Sequence, residues 1–312
     1  MNILLATDGS NNGHLALDLL ADFPIPANST LTLLTVIEDG FLDYGDDDTL
    51  SEEQKSVLAA THEMLNEQAA NMLTKEAASL VDSKLSCSTL IATGNPAEEI
   101  VRAAKQLDAD LIVMSSHGSG DVKRFLLGSV SDLVLQYAHC SVLIVRPDRT
   151  GDTSDLQRRN HPLRVLTGFD NSDYSRKTIE FCSTLPFIAE DEILLLGVLP
   201  LITLYRQDIK QQLGSVWQQR KAQAKAGLEW AANHVGWSSS KVSTQLKESP
   251  DVSQEILDSA DEFDADLIIV GNKGAGTAER FLLGSVTRRI AHHAPCSVLA
   301  VRVQNTGNET GH

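Results

Sequence analysis

The sequence predicts an α/β protein built from two copies of one doubly wound parallel sheet. Three observations carry this prediction: a length of 312 residues, an internal repeat of about 160 residues, and an alternation of short apolar runs with helix-length segments in each copy. At roughly 100–200 residues per domain, the length corresponds to two domains. A hydrophobic fraction of 42% and a charged fraction of 22% are typical of a globular protein and exclude a disordered or collagen-like chain.

The repeat becomes visible when the chain is compared with itself at a shift of 156 residues. Glu98–Arg146 then aligns with Gln254–Arg302, with 24 identities among 49 pairs. Leu5–Ser10 aligns with Thr167–Ser172 at a shift of 162, so the two copies differ by a net six residues in the part between these segments. We therefore expect a first domain over residues 1–147 (the first half) and a second over 163–303 (the second half). Residues 148–162 are polar and proline-bounded and predict a linker, and 304–312 predict a tail.

Apolar runs predict the strands, in the same order in both halves. The runs are continuous rather than alternating, as in parallel strands buried on both faces. In the first half they are Ile3–Ala6, Leu31–Ile37, Leu85–Ala92, Leu111–Met114 and Val142–Val145. In the second half they are Arg164–Thr167, Glu192–Leu199, Lys241–Leu246, Leu267–Val270 and Val298–Val301.

The segments between these runs predict crossover helices. The longest, Ser51–Val81, carries an apolar face at helical spacing, formed by Leu58, Leu65, Met72, Leu73 and Leu80. Five strands with crossover helices predict a doubly wound parallel sheet in each half. A ligand site is then expected beyond the carboxyl ends of the strands. Because the last strand of each half is an apolar edge, we expect the halves to pair through these strands as an intramolecular pseudo-dimer. A homodimer of whole chains is a further possibility that the sequence does not decide.

Charge, cysteine content and apolar runs indicate which partners and which cellular compartment to expect. The formal net charge of −16 disfavours binding to nucleic acid and to anionic membrane surfaces. The four cysteines form no CxxC pair and predict reduced, buried thiols. The chain begins directly with a strand-like segment, and its longest apolar run, Ile193–Leu204, is too short to span a bilayer. We expect a cytoplasmic protein.

A glycine-rich segment follows the fourth strand of the second half. It reads Gly271-Asn272-Lys273-Gly274-Ala275-Gly276, and Gly284-Ser285 follows after seven intervening residues. Glycines let backbone N–H groups approach a phosphate, and a helix starting at Gly284 would direct its free N–H groups to the same place. Ser285 could cap that helix or donate to a phosphate. The alternative is a glycine-rich turn with a capped helix that serves packing alone. The spacing matches neither a Walker A loop nor a dinucleotide fingerprint.

An aspartate follows the first strand of each half, Asp8 or Asp170. At a switch point in strand order, its carboxylate could accept hydrogen bonds from a ribose hydroxyl or an adenine amine. The alternative is an Asx turn or a helix N-cap, because a serine stands two residues later in both halves. The glycine segment on the neighbouring strand favours a ligand.

These motifs resemble the universal stress protein family, in its tandem, ATP-binding form. The resemblance rests on Gly-x2-Gly-x9-Gly-Ser, on the Thr-Asp-Gly-Ser after the first strand and on the closing Cys-Ser-Val-Leu-x-Val-Arg. It implies a Rossmann-like (adenine nucleotide alpha hydrolase-like) sheet of five parallel strands in the order 3-2-1-4-5 in each half. It also implies ATP, together with Mg²⁺, at the strand ends.

The resemblance implies the following site residues. In the second half, Asp170 and Val198 would contact the adenosine, and the ribose and phosphates would lie against Gly271, Gly274, Gly284, Ser285 and Val286. In the first half the corresponding set is Thr7, Asp8, Val36, Gly94, Ser115, His117, Gly118, Gly128 and Ser129. The first half departs from the pattern because Ser115 stands at the first glycine, and the second half departs because Phe169 replaces Thr7.

The implied function is a nucleotide-dependent stress-response protein whose state is read by partners. A slow ATPase or phosphotransferase, and a nucleotide-free assembly module, are the alternatives. No set of nucleophile, base and orienting acid is identified, so no catalytic residue is assigned. Asp46, Asp47 and Asp48 could hold a cation, but a solvated acidic loop explains them better, and no protein metal site is assigned.

Overall fold

The computed structural model describes residues 1–38, 50–80, 85–118, 127–147, 162–201, 207–234, 241–273 and 283–302. The predicted linker, apart from Pro162, and the predicted tail lie outside the described residues. The acidic triplet Asp46–Asp48 also lies outside them. No helix in the described ranges is long and apolar enough to cross a membrane.

Each half alternates strands and helices, as the apolar runs predict. The elements of the first half are β1 Asn2–Ala6, α1 Asn11–Asp22, β2 Thr30–Ile37, α2 Glu52–Ser79, β3 Ser86–Thr93, α3 Pro96–Gln106, β4 Leu111–Ser115, α4 Ser129–Tyr137 and β5 Ser141–Val145. The elements of the second half are β6 Arg164–Gly168, α5 Asp173–Ser183, β7 Glu192–Pro200, α6 Gln207–His234, β8 Lys241–Ser249, α7 Val252–Glu262, β9 Leu267–Gly271, α8 Ser285–His293 and β10 Ser297–Val301.

The ten strands form one sheet in the order β3-β2-β1-β4-β5-β10-β9-β6-β7-β8. Within each half all neighbouring strands are parallel, and the order is 3-2-1-4-5, so the predicted fold class is confirmed. The halves meet where β5 runs antiparallel to β10, with Leu143 opposite Leu299. This pair joins the two last strands, which the sequence predicts to be the contact between the halves.

Helices cover both faces of the sheet, and each face has its own apolar core. One core gathers side chains such as Leu5, Leu15 and Leu73, from β1, α1 and α2. The other gathers Leu4, Ile100 and residues of α4. Successive residues of a strand point to opposite faces, so a strand buried on both faces reads as a continuous apolar run. The inner strands β5 and β10 are buried throughout.

Three elements, β3, β8 and α2, are less buried than the sequence predicts. The edge strands β3 and β8 are mostly exposed or half-buried, because each has a partner on one side only. Along α2, Leu73 is buried while Leu58, Leu65 and Met72 are only half-buried. The core therefore holds the C-terminal part of this helix more firmly than its beginning.

The four cysteines are free thiols. Cys140, Cys182 and Cys296 are buried and Cys87 is half-buried. Burial raises the pKa of the Cys140 and Cys182 thiols to about 12. These two thiols therefore stay protonated at neutral pH and are poor nucleophiles.

An ion pair joins α4 to α8 across the boundary between the halves. Asp132 Oδ2 accepts from Arg288 Nη2 at 2.7 Å, and Asp132 Oδ1 lies 2.9 Å from His292 Nε2. Positions 132 and 288 correspond in the internal alignment, so the same place carries an acid in one half and a base in the other. Burial alone would raise the pKa of Asp132, but hydrogen bonds from Arg288 and His292 outweigh it and lower that pKa.

The Asp132 ion pair should make the stability of the chain depend on pH in the acid range. Because the folded carboxyl group binds its proton less tightly than the unfolded one, its contribution is present above the ordinary pKa of about 4 and is lost as pH falls further. We expect Asp132→Asn to lower the unfolding free energy at neutral pH by roughly 0.5–1 kcal/mol, since Arg288 is half exposed. Urea unfolding of both proteins should show this difference shrinking below about pH 4. A difference independent of pH would contradict the role of the charge.

Candidate functional site

A cavity of about 450 Å³ lies at the carboxyl ends of β1, β2 and β4 in the first half. Its volume is within the range of small-molecule pockets. It collects eight of the nine residues that the family resemblance implies for this half. They are Thr7, Asp8, Val36, Ser115, His117, Gly118, Gly128 and Ser129.

The two sides of this cavity differ in chemistry. One part is apolar and is formed by side chains including Leu34, Val36 and Ile100. The opposite part is formed by the loop after β4 and the first turn of α4, with Gly128 and Ser129 among its residues. A flat apolar group fits against the first part, and an anion fits against the backbone amides of the second.

Gly94 is the ninth implied residue, and it is not among the residues that line the cavity. It has a φ of +143° and donates its N–H to Ile37 O at 3.0 Å. A Cβ at this position would lie 2.9 Å from Glu99 Oε1. The turn between β3 and α3 therefore requires a glycine here for reasons of backbone conformation and space.

The helix start that faces the cavity has no side-chain cap. Gly128 is the N-cap of α4 and Gly284 is the N-cap of α8, and neither helix has a side-chain cap hydrogen bond. In the other helices whose start is described, a side chain accepts from the first turn. These caps are Ser10, Ser51, Asn95, Ser172 and Asp251.

The position of Ser285 corrects one expectation from the sequence. Ser285 is the first residue of α8 and does not cap it, because the N-cap lies one residue earlier. Glycine at the cap supplies no acceptor for the N–H groups of the first turn. These donors, with the positive end of the helix dipole, make each of the two helix starts suited to an anion.

Hydrogen bonds join the residues at the end of β4 to the start of α4. Gly128 N donates to Ser116 O at 2.8 Å, and Ser131 Oγ donates to Ser115 O at 2.9 Å. The second half repeats both contacts, from Gly284 N to Asn272 O at 2.7 Å and from Thr287 Oγ1 to Gly271 O at 2.7 Å. The same backbone arrangement therefore stands at the end of β4 and of β9.

The glycines of this arrangement are close to the protein's own backbone. A Cβ on Gly128 would lie 3.1 Å from Ser116 O, and one on Gly284 would lie 3.1 Å from Asn272 O. A branched side chain at Gly284 could be introduced to exclude a ligand from the helix start. Such a side chain would also push on its own loop. A charge placed at the neighbouring serine is a cleaner probe.

The aspartates after the first strands form Asx turns. Ser10 N donates to Asp8 Oδ1 at 3.0 Å, and Ser172 N donates to Asp170 Oδ1 at 3.0 Å. The helix N-caps are the serines, so the Asx-turn alternative is confirmed and the N-cap alternative is wrong. Asp8 also lines the cavity, so the turn presents its carboxylate there.

Glu76 of α2 does not line the cavity but contacts Thr7, which does, and sequence reasoning missed it. Its Oε1 accepts from the hydroxyl of Thr7 at 2.9 Å and lies 3.7 Å from His14 Nδ1. The side chain is buried, and burial raises the pKa of its carboxyl group. The sequence does contain a signal for it: Glu76 stands three residues after Leu73, so the two share the buried face of the helix. In the second half, Phe169 replaces Thr7 and packs against Trp230 with 6.3 Å between ring centres.

The implied residues of the second half also come together at one edge. Asp170 follows β6, Val198 lies on β7, Gly271 ends β9, and Ser285 with Val286 begins α8. Because β6, β7 and β9 are parallel, these positions share the carboxyl edge of the second half. Gly274 lies outside the described residues. Lys273, at the position of His117, is buried, and its Nζ lies 6.0 Å from the centre of the Tyr174 ring.

Comparison with known proteins matches residues 1–146 and 163–302 to the Universal stress protein family. A universal stress protein of Mycolicibacterium smegmatis is 30% identical over 225 residues, which cover 70% of this chain and 69% of that protein. One from Methanocaldococcus jannaschii is 32% identical over 151 residues, covering 46% of this chain and 93% of that protein. The crystal structure of a universal stress protein from Archaeoglobus fulgidus has the same fold, with a TM-score of 0.58 at 20% identity and coverage of 98% of this chain and 97% of that one.

Replacing the buried Glu76 by glutamine should stabilise the chain at neutral pH. The folded pKa of Glu76 is raised, so ionising this carboxyl group costs more in the folded than in the unfolded state. Glutamine removes the charge and keeps an oxygen that accepts from Thr7. We expect the unfolding free energy of Glu76→Gln to rise by on the order of 1 kcal/mol at neutral pH, with the gain vanishing below about pH 4.5. A glutamine variant less stable than the parent in urea unfolding at neutral pH would contradict this.

Proposed function

This chain belongs to the universal stress protein family, and from that premise we propose that it binds ATP at the strand ends of both domains. The nucleotide would set the conformation or assembly that partners read in a stress response. In this proposal the domains span residues 1–147 and 163–303, joined by the linker 148–162. The protein acts in the cytoplasm, and its negative charge keeps it from nucleic acid and anionic membranes.

The observation that carries the proposal is the pair of uncapped helix starts. Gly128 and Gly284 begin α4 and α8 without a side-chain acceptor, while five other helices have one. The free N–H groups and the helix dipole stabilise negative charge at those starts. A phosphate chain supplies the acceptors that the side chains leave out.

The rest of the first-half cavity is suited to an adenosine. Leu34, Val36 and Ile100 offer an apolar surface on which a base can lie. Asp8, held by its Asx turn, presents a carboxylate that can accept from a ribose hydroxyl or an exocyclic amine. In the second half Asp170 and Val198 occupy the corresponding positions. We therefore assign all the implied residues except Gly94 to nucleotide contact.

Mg²⁺ would accompany the phosphates rather than sit in a protein cage. Within the described ranges no group of three His, Cys, Asp or Glu side chains is arranged to hold a metal ion. Ser129 lines the cavity at the helix start and offers a hydroxyl oxygen, the kind of hard ligand that Mg²⁺ prefers. Mg²⁺ commonly keeps several waters and is shared between phosphates and one or two protein oxygens. The ion would neutralise part of the phosphate charge.

Binding is favoured over turnover by the side chains of the cavity. His117 is the imidazole among the described lining residues, and its Nδ1 lies 3.0 Å from Ser116 Oγ. At the same position the second half has Lys273. An imidazole that could act as a base is thus present in one half and not in the other, whereas the helix start is common to both. Nucleotide binding is the shared property.

A carboxylate at the helix start should remove ATP binding without unfolding the chain. Asp is favourable in the first turn of a helix, yet it repels a polyphosphate. We expect Ser129→Asp with Ser285→Asp to weaken ATP binding at least roughly tenfold at each site, measured by calorimetry on the full chain. Adenosine, which lacks phosphates, should keep its affinity. The matched control is Ser129→Asn with Ser285→Asn, which changes size alike and adds no charge.

Two outcomes would contradict the proposal. Equal ATP affinity of the aspartate and asparagine double variants would show that no phosphate lies at these helix starts. Mass spectrometry of the denatured wild-type protein gives an independent check, because co-purified ATP supports binding and co-purified ADP supports the ATPase alternative. A protein that carries no nucleotide and binds none in calorimetry would support the assembly-module alternative instead.

A further inference from the structure

The arginines that close the two Cys-Ser-Val-Leu-x-Val-Arg segments have no part in the proposed nucleotide contacts. We propose that Arg146 and Arg302 are positioning residues, each of which fixes the phosphate-binding helix of the opposite half. The inference rests on the proposed function, because it assigns these arginines a role in ATP affinity. It links each site to the half that does not contain it.

The contacts cross the boundary between the halves in both directions. Arg146 follows β5 of the first half, and its Nη2 donates to Ala291 O at 2.6 Å and to His292 O at 3.2 Å, in the last turn of α8. Arg302 follows β10 of the second half. Its Nη1 donates to Ala138 O and its Nη2 donates to Gln136 O at 3.3 Å, at the end of α4.

The antiparallel pairing of β5 with β10 brings each arginine to the other half. Arg146 N donates to Ser297 Oγ at 3.2 Å, and Arg302 N donates to Ser141 Oγ at 3.1 Å. The backbone of each arginine is therefore anchored to the first residue of the opposite last strand. From this position the side chain reaches the end of the helix that precedes that strand.

The helix ends offer what a guanidinium group needs. The last carbonyl groups of an α-helix lack partners within the helix, and the negative end of its dipole favours a cation. Arg146 is buried, with 4% of its surface exposed, and burial lowers its pKa to about 10. Its charge is thus retained at neutral pH. The bonds to Ala291 O and His292 O offset part of the cost of burying that charge.

The same two helices begin at the proposed phosphate sites. α4 and α8 have nine residues each, which corresponds to a rod of roughly 13 Å. A rod this short bends little, so fixing its C-terminal end also fixes the direction of the N–H groups at its start. Arg146 thereby orients the start of α8 at Gly284, and Arg302 orients the start of α4 at Gly128.

Each arginine also adjoins the phosphate loop of its own half. Ser116 N donates to Val145 O at 2.8 Å, and Asn272 N donates to Val301 O at 2.8 Å. Val145 and Val301 directly precede the arginines. A continuous set of hydrogen bonds therefore runs from the loop of one site, through an arginine, to the helix of the other site.

The test uses the full chain with one site disabled at a time. Ser129→Asp leaves the second-half site as the ATP site, and Ser285→Asp leaves the first-half site. Adding Arg146→Met keeps an unbranched side chain as far as the position of Nε and removes the guanidinium donors. In the Ser129→Asp chain we expect Arg146→Met to weaken ATP binding roughly five- to tenfold, while Arg302→Met leaves it unchanged. In the Ser285→Asp chain the two effects should exchange.

Two further measurements separate positioning from a general loss of structure. Adenosine affinity should not change in any arginine variant, because adenosine makes no contact at the helix start. Arg146→Lys and Arg302→Lys keep a charged donor and should recover part of the ATP affinity. The lysine variants also serve the test if a methionine variant fails to fold, since the same crossed pattern is expected at smaller amplitude.

The pattern of losses decides the inference. A loss in the arginine's own half, an equal loss in both halves, no loss, or a parallel loss for adenosine and ATP would each overturn it. If the Ser129→Asp and Ser285→Asp chains both bind ATP and the arginine variants do not alter it, the proposed function stands and only this inference fails. If wild-type chain binds no ATP, both fail together.

Discussion

The proposed phosphate sites depend on the N–H groups that Gly128 and Gly284, within the described ranges, leave without a side-chain acceptor at the starts of α4 and α8. At five other helix starts, serine, asparagine or aspartate side chains satisfy such groups. A helix start without a cap costs stability unless water or a ligand supplies the acceptor. Here both uncapped starts lie at the carboxyl edge of a parallel sheet, at the end of a glycine-containing loop. The proposed anion binding would give this cost a function.

The internal duplication separates what the fold requires from what each half adds. Both halves keep the loop-to-helix hydrogen bonds, the arginine on the opposite helix and the antiparallel contact of their last strands. They differ in the side chains around that frame. In the first half Thr7 donates a hydrogen bond to Glu76, whereas at the equivalent position of the second half Phe169 packs against Trp230. Asp132 of the first half corresponds to Arg288 of the second. The differences at 132 and 288 are complementary in charge, so they favour pairing of unlike halves over pairing of like ones.

Sequence patterns predicted the fold well because they depend on periodicity and repetition. Apolar runs, together with the repetition of their order in the second half, located all ten strands, and the repeat predicted two equivalent sheets. The exposed faces of β3 and β8 were not predicted, because burial of an edge strand depends on its neighbours rather than on its own residues. Glu76 was missed for the same reason. A single acid in a long helix acquires meaning only when the structure places it under Thr7.

The candidate site was predicted in part. Eight implied residues line one cavity, whereas Gly94 has a backbone role and Gly274 lies outside the described residues. The position of the N-cap and the crossed arginines could not be read from the sequence. The first depends on backbone angles at Gly284, and the second on contacts between residues about 145 to 166 positions apart.

Amide hydrogen exchange on the full chain, with and without ATP, would show whether a bound phosphate chain accepts hydrogen bonds from the two helix starts. If the phosphates accept from the helix starts, ATP should slow exchange in peptides that cover residues 127–132 and 283–288, and adenosine should not. The exposed edge strands β3 and β8 provide internal references whose exchange should stay the same. Protection confined to other segments while ATP is bound would contradict the claim. So would protection by adenosine equal to that by ATP.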